Sequence, residues 1–188
     1  MIIPQTITYR TVDGLELTYD LYLPQRAAKS PNGHPIVIWF HGGGLLQGSK
    51  INLPTHFKQL AEQEHDEPIA VLTPDYRLAP QVSLPDILQD IDALLAHVRS
   101  DAFSRNGIDV DRIALSGGSA GGYLALIAGL TASSTEYSEA YRGNNGKSGI
   151  KCLAPYYPIT NLVDPFWTRK QSCPSWLKSP LVAVNLAC

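Results

Sequence analysis

The sequence predicts an α/β fold built on a mainly parallel sheet with helices on both faces. Three observations carry that reading. Short, largely apolar runs at residues 36–40, 69–72, 113–115 and 150–157 have the length of buried strands. Segments with apolar residues at helical spacing lie between them, residues 84–99 being the clearest. Strand-like and helix-like segments alternate, the pattern that places parallel strands between helical layers.

The chain opens with two stretches of alternating polarity, residues 5–10 and 15–23, around Asp13 and Gly14. That dipeptide favours a tight hairpin, so these stretches form an antiparallel start to the sheet. Residues 24–35, PQRAAKSPNGHP, are a polar loop in which His34 is expected in solvent. The apolar run IVIWF then leads into His41, Gly42, Gly43 and Gly44. Asn52 caps a helix with Pro54 in its first turn and Leu53, Phe57, Leu60, Ala61 and Glu64 on one face. His56 and His65 sit on or beside that helix, exposed. Pro68 opens the strand IAVLTPDY.

Ser83 caps the clearest helix, with Pro85 and Asp86 in its first turn. Ile87, Leu88, Ile91, Leu94, Leu95 and Val98 form its apolar stripe, which faces the core. Asp90 and Asp92 are expected off the stripe in solvent, and His97 complements the dipole in the last turn. Asp109 and Asp111 form a turn ahead of the central strand. Beyond residue 130, 131–149 is a polar connection and Ile150–Tyr157 the next parallel strand, with Cys152 buried in it. Gln171–Cys188 shows no clear period.

The stretch that organises the rest is residues 112–130, RIALSGGSAGGYLALIAGL. A strand runs into Gly117, Gly118, Ser119, Ala120 and Gly121, and Tyr123, Leu124, Ile127 and Leu130 continue at helical spacing. Gly117, Ser119 and Gly121 fit G-x-S-x-G, a turn whose small residues hold one serine in a strained, exposed position. The helix that follows directs its positive end and free N–H groups at the same place, which suits a developing oxyanion. The same string also fits a glycine-rich turn that merely packs closely.

Composition bounds the partners. The 188 residues are 44% hydrophobic and 17% charged with a net charge of -2, an ordinary globular composition. No Lys/Arg cluster is present to track phosphates, so a nucleic-acid partner is not expected. No run approaches the ~18 apolar residues of a membrane span, and MIIPQTITYR lacks the apolar core of a secretory signal. The chain is read as soluble and cytoplasmic, without stable membrane insertion. Cys152, Cys173 and Cys188 are odd in number and lack metal-type spacing, so neither a disulfide framework nor a zinc site is expected.

Three strings in order, His41–Gly44, Asp75–Pro80 and Ser116–Gly122, resemble the HGGG, YRLAP and G-D-S-A-G-G motifs of the hormone-sensitive-lipase-like branch of the α/β-hydrolases. The resemblance implies an α/β-hydrolase fold, incomplete at its C-terminal end. Residues 1–188 then form a single partial domain with its core at about 15–165, and 166–188 start a cap region or form an aberrant tail. It implies Ser119 as nucleophile and the N–H groups of Gly43, Gly44 and Ala120 as an oxyanion hole, with His41 and Gly42 supporting the loop. Tyr76 and Arg77 look structural, fixing loops behind the nucleophile. The implied activity is hydrolysis of a carboxylic ester through an acyl-serine, on a small-molecule ester or acyl substrate. No metal or organic cofactor is implied.

Departures from the family pattern temper the activity. Gly118 stands where the family usually has Asp, and Gln81 where an acid is common, changes expected to affect local hydrogen bonding only. In this fold the triad acid and histidine follow the serine. Here His34, His41, His56, His65 and His97 all precede Ser119, so no triad histidine or acid is found. Asp164 is the remaining acid candidate, although it sits where the family has a loop leading to the cap. The expectation is a weak or inactive esterase with a tendency to self-associate through an exposed sheet edge. The alternative is a non-catalytic ligand-binding or scaffold protein on the same fold.

Overall fold

The computed structural model of the protein describes residues 2–62, 67–132 and 149–161, residues 101–102 by backbone alone. The chain divides into two compact units, Met1–Pro158 and Ile159–Cys188. All that follows concerns the first. Its strands are β1 (Gln5–Val12), β2 (Leu15–Tyr22), β3 (His34–Phe40), β4 (Ala70–Pro74), β5 (Ile108–Gly118) and β6 (Ile150–Tyr156). Its helices are α1 (Thr55–Glu62), α2 (Leu84–Val98), α3 (Asp101–Ser104) and α4 (Ala120–Thr131), with a 3-10 turn at Lys50–Asn52.

The sheet order is β1-β2-β4-β3-β5-β6. β1 pairs with β2 and β2 with β4 antiparallel; β3 pairs with β4 and with β5, and β5 with β6, in parallel. The hairpin turn has positive φ at both Asp13 (51°) and Gly14 (81°), the two-residue geometry whose twist matches its strands. Because successive side chains alternate between faces, β3 supplies both layers. Val37 and Trp39 join Tyr22, Val71, Leu53, Phe57 and Ala61 in one core under α1. Ile36, Ile38 and Phe40 point the other way and are at most 1% exposed. That second face meets α4, which contacts β3, β5 and β6, while α2 contacts β1 and α4.

Six expectations change. His34 is buried rather than solvated: it begins β3, and its Nδ1 lies 3.1 Å from the Pro68 carbonyl. The strand before the elbow starts at Ile108, so Asp109 and Asp111 lie inside β5. There Asp109 accepts from the Asp111 N–H (3.1 Å) and from Arg112 Nε (2.7 Å). Asp90 is completely buried. His97 is half-buried against Tyr19, whose hydroxyl lies 3.0 Å from Nε2, rather than facing solvent, and desolvation lowers its pKa, which disfavours the cation the helix end would take. The same burial pushes the Tyr19 hydroxyl up to about 12.

Cys152 is exposed: among the described residues β6 is the last strand of the sheet, and only Ile150, Leu153 and Pro155 on it are partly covered. The first helix also starts later than expected. Ser49 caps the 3-10 turn and α1 proper begins at Thr55. His65, Glu64, Asp164, Cys173, Cys188 and most of the 131–149 connection lie outside the described residues.

α2 shows how strongly local chemistry sets a boundary. Ser83 and Asp86 form a reciprocal cap: the Ser83 N–H donates to Asp86 Oδ2 at 3.0 Å, and the Asp86 N–H donates to Ser83 Oγ at 3.4 Å. The Ser83 hydroxyl and N–H both lower the Asp86 pKa, the hydroxyl most. Ser83→Ala is expected to cost about 1 kcal/mol and to lower the thermal midpoint by roughly 2–4 °C, read by circular dichroism.

Candidate active site

At the end of β5 the chain turns through Gly117 and Gly118, places Ser119 at φ 54° and ψ −117°, and enters α4 at Ala120. A side chain at positive φ outside the left-handed well costs about 1–3 kcal/mol, so the surroundings must impose it. A Cβ on Gly117 would lie 2.4 Å from the Gly121 carbonyl carbon and 2.7 Å from the Phe40 oxygen. One on Gly121 would lie 2.0 Å from the Phe40 oxygen. Three main-chain segments therefore touch with no side chain between them. The Ser119 N–H donates to the Tyr156 carbonyl and its own carbonyl accepts from Tyr123 N–H, both at 3.0 Å. Ser116 Oγ adds a 2.6 Å bond to Ala154 O, fastening β5 to β6 beneath the turn.

The glycine-rich loop after β3 closes on this turn. A Cβ on Gly42 would lie 2.7 Å from Gly118 O and 3.6 Å from Ser119 Cβ, so the loop backbone passes directly beside the serine. Gly43 and Gly44 have φ of 115° and 67°. The Gly43 carbonyl accepts from Leu46 and Gln47 N–H at 3.0 and 3.2 Å, which bends the chain back on itself. At α4 the first N–H groups have no acceptor within the helix and carry its positive end. The site thus joins a reactive hydroxyl type to bare main chain at a helix N-terminus, an arrangement suited to a developing negative oxygen.

His41 stands behind the loop. It is 1% exposed and stacks on Tyr76, with centroids 4.2 Å apart and planes 7° from parallel. Its Nδ1 lies 2.9 Å from the Gly42 carbonyl, so Nδ1–H donates there, and Tyr76 Oη donates to the His41 carbonyl at 2.6 Å. Burial lowers the His41 pKa, outweighing the Gly42 carbonyl and Asp75. Desolvation, reinforced by Asp75, drives the Tyr76 hydroxyl well above its ordinary value.

The stretch after Tyr76 makes a second contact, as Ala79 N–H donates to Leu45 O at 2.8 Å. Arg77 turns away from the site, toward Asp86 O and Asp90.

The structure thus brings together Ser119, Gly42, His41 and Tyr76, with Gly43, Gly44 and Ala120 in the adjoining backbone. It does not bring His34 or His97 there: His34 lies against Pro68 and His97 against Tyr19 and Phe103. His56 is exposed on α1. Sequence reasoning misplaced Asp90, though its spacing offered a signal. It follows Ile87 by three positions and precedes Leu94 by four, which puts it on the apolar stripe. Among the described residues, no group of three or more His, Cys, Asp and Glu side chains is placed to hold a metal, and no helix is long and apolar enough to cross a membrane.

The family model BD-FAE matches residues 19–183. The chain belongs to the BD-FAE family. This BD-FAE protein has the α/β-hydrolase fold, and solved esterases share it. Esterase B from Lactobacillus rhamnosis superposes with a TM-score of 0.65 at 30% identity, over 82% of this chain and 49% of that one. The thermophilic esterase Est2 from Thermogutta terrifontis superposes with a TM-score of 0.63 at 25% identity, over 85% and 54%.

Among curated proteins, the non-reducing polyketide synthase ausA of Emericella nidulans is 33% identical over 172 residues, 88% of this chain. The BD-FAE chain spans about half the length of the esterases and 6% of the polyketide synthase.

Two outcomes follow from this packing. Gly121→Ala drives a methyl group into the Phe40 carbonyl and is expected to cost about 3 kcal/mol or more. Gly44→Ala meets no atom within 4 Å and costs only the positive φ, about 1–2 kcal/mol; chemical denaturation of both variants measures the contrast. For pH, the folded pKa values of His41 and His97 lie below the ordinary 6.5, so the unfolded chain binds more protons below that value. Stability is therefore fully present above about pH 6.5 and falls as the pH drops through it, by up to about 1.4 kcal/mol per pH unit for each ring. Thermal midpoints measured across that window are expected to decline toward acid, and less steeply in His97→Gln.

Proposed function

We propose that the protein is a carboxylic ester hydrolase working through an acyl-serine intermediate at Ser119, on a small-molecule ester or acyl substrate. One observation carries the reading: a serine held at φ 54° between β5 and α4, with the Gly42 backbone against its Cβ. In the proposed reaction Ser119 Oγ attacks the acyl carbonyl, and the N–H groups of Gly43, Gly44 and Ala120 receive the oxyanion. The tetrahedral intermediate then expels the alcohol, and water later hydrolyses the acyl-serine. Each such donor is worth roughly 2.7–4 kcal/mol where it has been removed. His41 and Gly42 support the loop rather than touch the substrate.

The hydroxyl proton needs an acceptor. His41 is committed to Gly42 and stacked on Tyr76, and no histidine follows Ser119 in the sequence. In a serine protease, loss of the histidine alone costs about 2 × 10⁶ in kcat, roughly 8–9 kcal/mol of transition-state stabilisation. The 188 residues on their own are therefore expected to be weakly active or inactive. The match to a small part of a polyketide synthase supports reading these residues as part of a larger α/β-hydrolase domain or protein. A cytoplasmic location and self-association through the β6 edge belong to the same proposal.

The commitment of His41 to Gly42 and Tyr76 favours a second reading, a non-catalytic ligand-binding or scaffold role for the same pocket. A fluorophosphonate probe separates the two. Stoichiometric labelling that disappears in Ser119→Ala is the expected result. Labelling that persists in Ser119→Ala sinks the Ser119 assignment, and none in either protein favours the scaffold.

A further inference from the structure

Asp90 lies on α2 with no exposed surface, and both of its carboxylate oxygens are fully occupied. Oδ1 accepts from Arg10 Nη1 at 2.5 Å and Arg77 Nη2 at 2.9 Å. Oδ2 accepts from Arg77 Nε at 2.8 Å and from the Arg77 main-chain N–H at 3.1 Å. Arg77 is thus held as a planar fork and by its backbone at once. The hydrogen bond to Asp90 is the main cause of its raised pKa. A buried ion network of this kind is a poor source of stability, since apolar residues of the same volume often do as well or better. What it supplies here is the fixed position of one peptide.

That peptide is the one joining Tyr76 to Arg77, and the stretch it belongs to meets the glycine-rich loop at two points. Tyr76 stacks on His41 and donates to its carbonyl, and Ala79 N–H donates to Leu45 O. The two contacts bracket Gly42, Gly43 and Gly44. From the other side the hairpin holds the same stretch: Tyr9 Oη donates to Asp75 O at 2.7 Å, and Arg10 completes the Asp90 cluster.

We propose that Asp90 is a positioning residue for the glycine-rich loop, acting through the Arg77 backbone and Tyr76 to fix the loop amides beside Ser119. This rests on the acyl-serine reading for its functional meaning, and on geometry alone for the loop. A loop with three consecutive glycines has little internal stiffness, and a site loses rate steeply when its donors are held loosely.

The test uses Asp90→Asn, which keeps the shape, replaces one of the two acceptor oxygens by an N–H donor and removes the negative charge that both arginines face. Hydrogen exchange of the Leu46, Gln47 and Ala79 amides is the readout that does not depend on catalysis. Expected is exchange faster by about 10-fold or more at these amides. Val98→Ala, a core change at the far end of α2, serves as the control for lost stability and is expected to leave them unchanged. Should Asp90→Asn fail to fold, Arg77→Lys keeps the charge, loses the fork, and is expected to loosen the same amides.

Where wild type hydrolyses p-nitrophenyl acetate in a Ser119-dependent way, kcat is expected to fall about 10²-fold with KM within about 3-fold. Wild-type exchange rates in the folded variant, or equal loosening in Val98→Ala, overturn the proposal, as does loosening with unchanged kcat. Where wild type shows no hydrolysis, as expected of these residues on their own, labelling of Ser119 by the fluorophosphonate probe decides the acyl-serine reading, and the exchange result still decides the role of Asp90.

Discussion

The molecule depends on a contact between main chains. The end of β3, the end of β5 and the start of α4 approach so closely at Phe40, Gly117 and Gly121 that no Cβ fits between them. Close packing is the ordinary state of a protein interior, but here backbone meets backbone, and that fixes position far more tightly than side chains do. It sets β3 beside β5, fixes where α4 begins, and leaves Ser119 only a conformation with positive φ. Hydrogen bonds to Tyr156 and from Tyr123 offset that strain.

Charge is arranged around this contact rather than in it. Behind the glycine-rich loop lie Asp90 with Arg10 and Arg77, and beside the first helical turn Lys50 pairs with Asp20 at 2.9 Å while its N–H donates to Asp75. At the opposite ends of the parallel strands, Arg112 binds Glu67, Asp109 and the Gly33 carbonyl. Each network joins segments distant in sequence. Among the described residues, glycine backbone and the N-terminus of α4 lie beside Ser119, groups with oriented dipoles. Oriented dipoles of that kind need little rearrangement when charge develops.

Most of this architecture was readable in the residues. Hairpin, buried strands, α2 and the serine turn are all specified locally: Asp13-Gly14 by its turn geometry, α2 by Ser83 and its stripe, the turn by glycines that report close approach. Three misreadings share one cause. Asp90, His34 and His97 look polar in isolation, and each is wholly or partly buried because a partner elsewhere in the chain satisfies it: two arginines, the Pro68 carbonyl and the Tyr19 hydroxyl. Cys152 failed in the opposite sense. An apolar strand was read as covered on both faces, and among the described residues β6 is instead the last strand of the sheet.

The strand order also dictates a sequence of assembly. β3 sits at the centre of the sheet, yet the strand that flanks it on the serine side begins only at Ile108, and the carbonyl that fastens the Ser119 amide belongs to Tyr156. Pairings between such distant segments are slow to form, because loop-closure entropy must be met before the contacts return any energy. During synthesis the hairpin, β3 and β4 emerge well before the elbow has anything to lean on. The Ser119 turn therefore gains its hydrogen bond to Tyr156 only once β6 has paired, and until then the close approach of Phe40, Gly117 and Gly121 is what holds it.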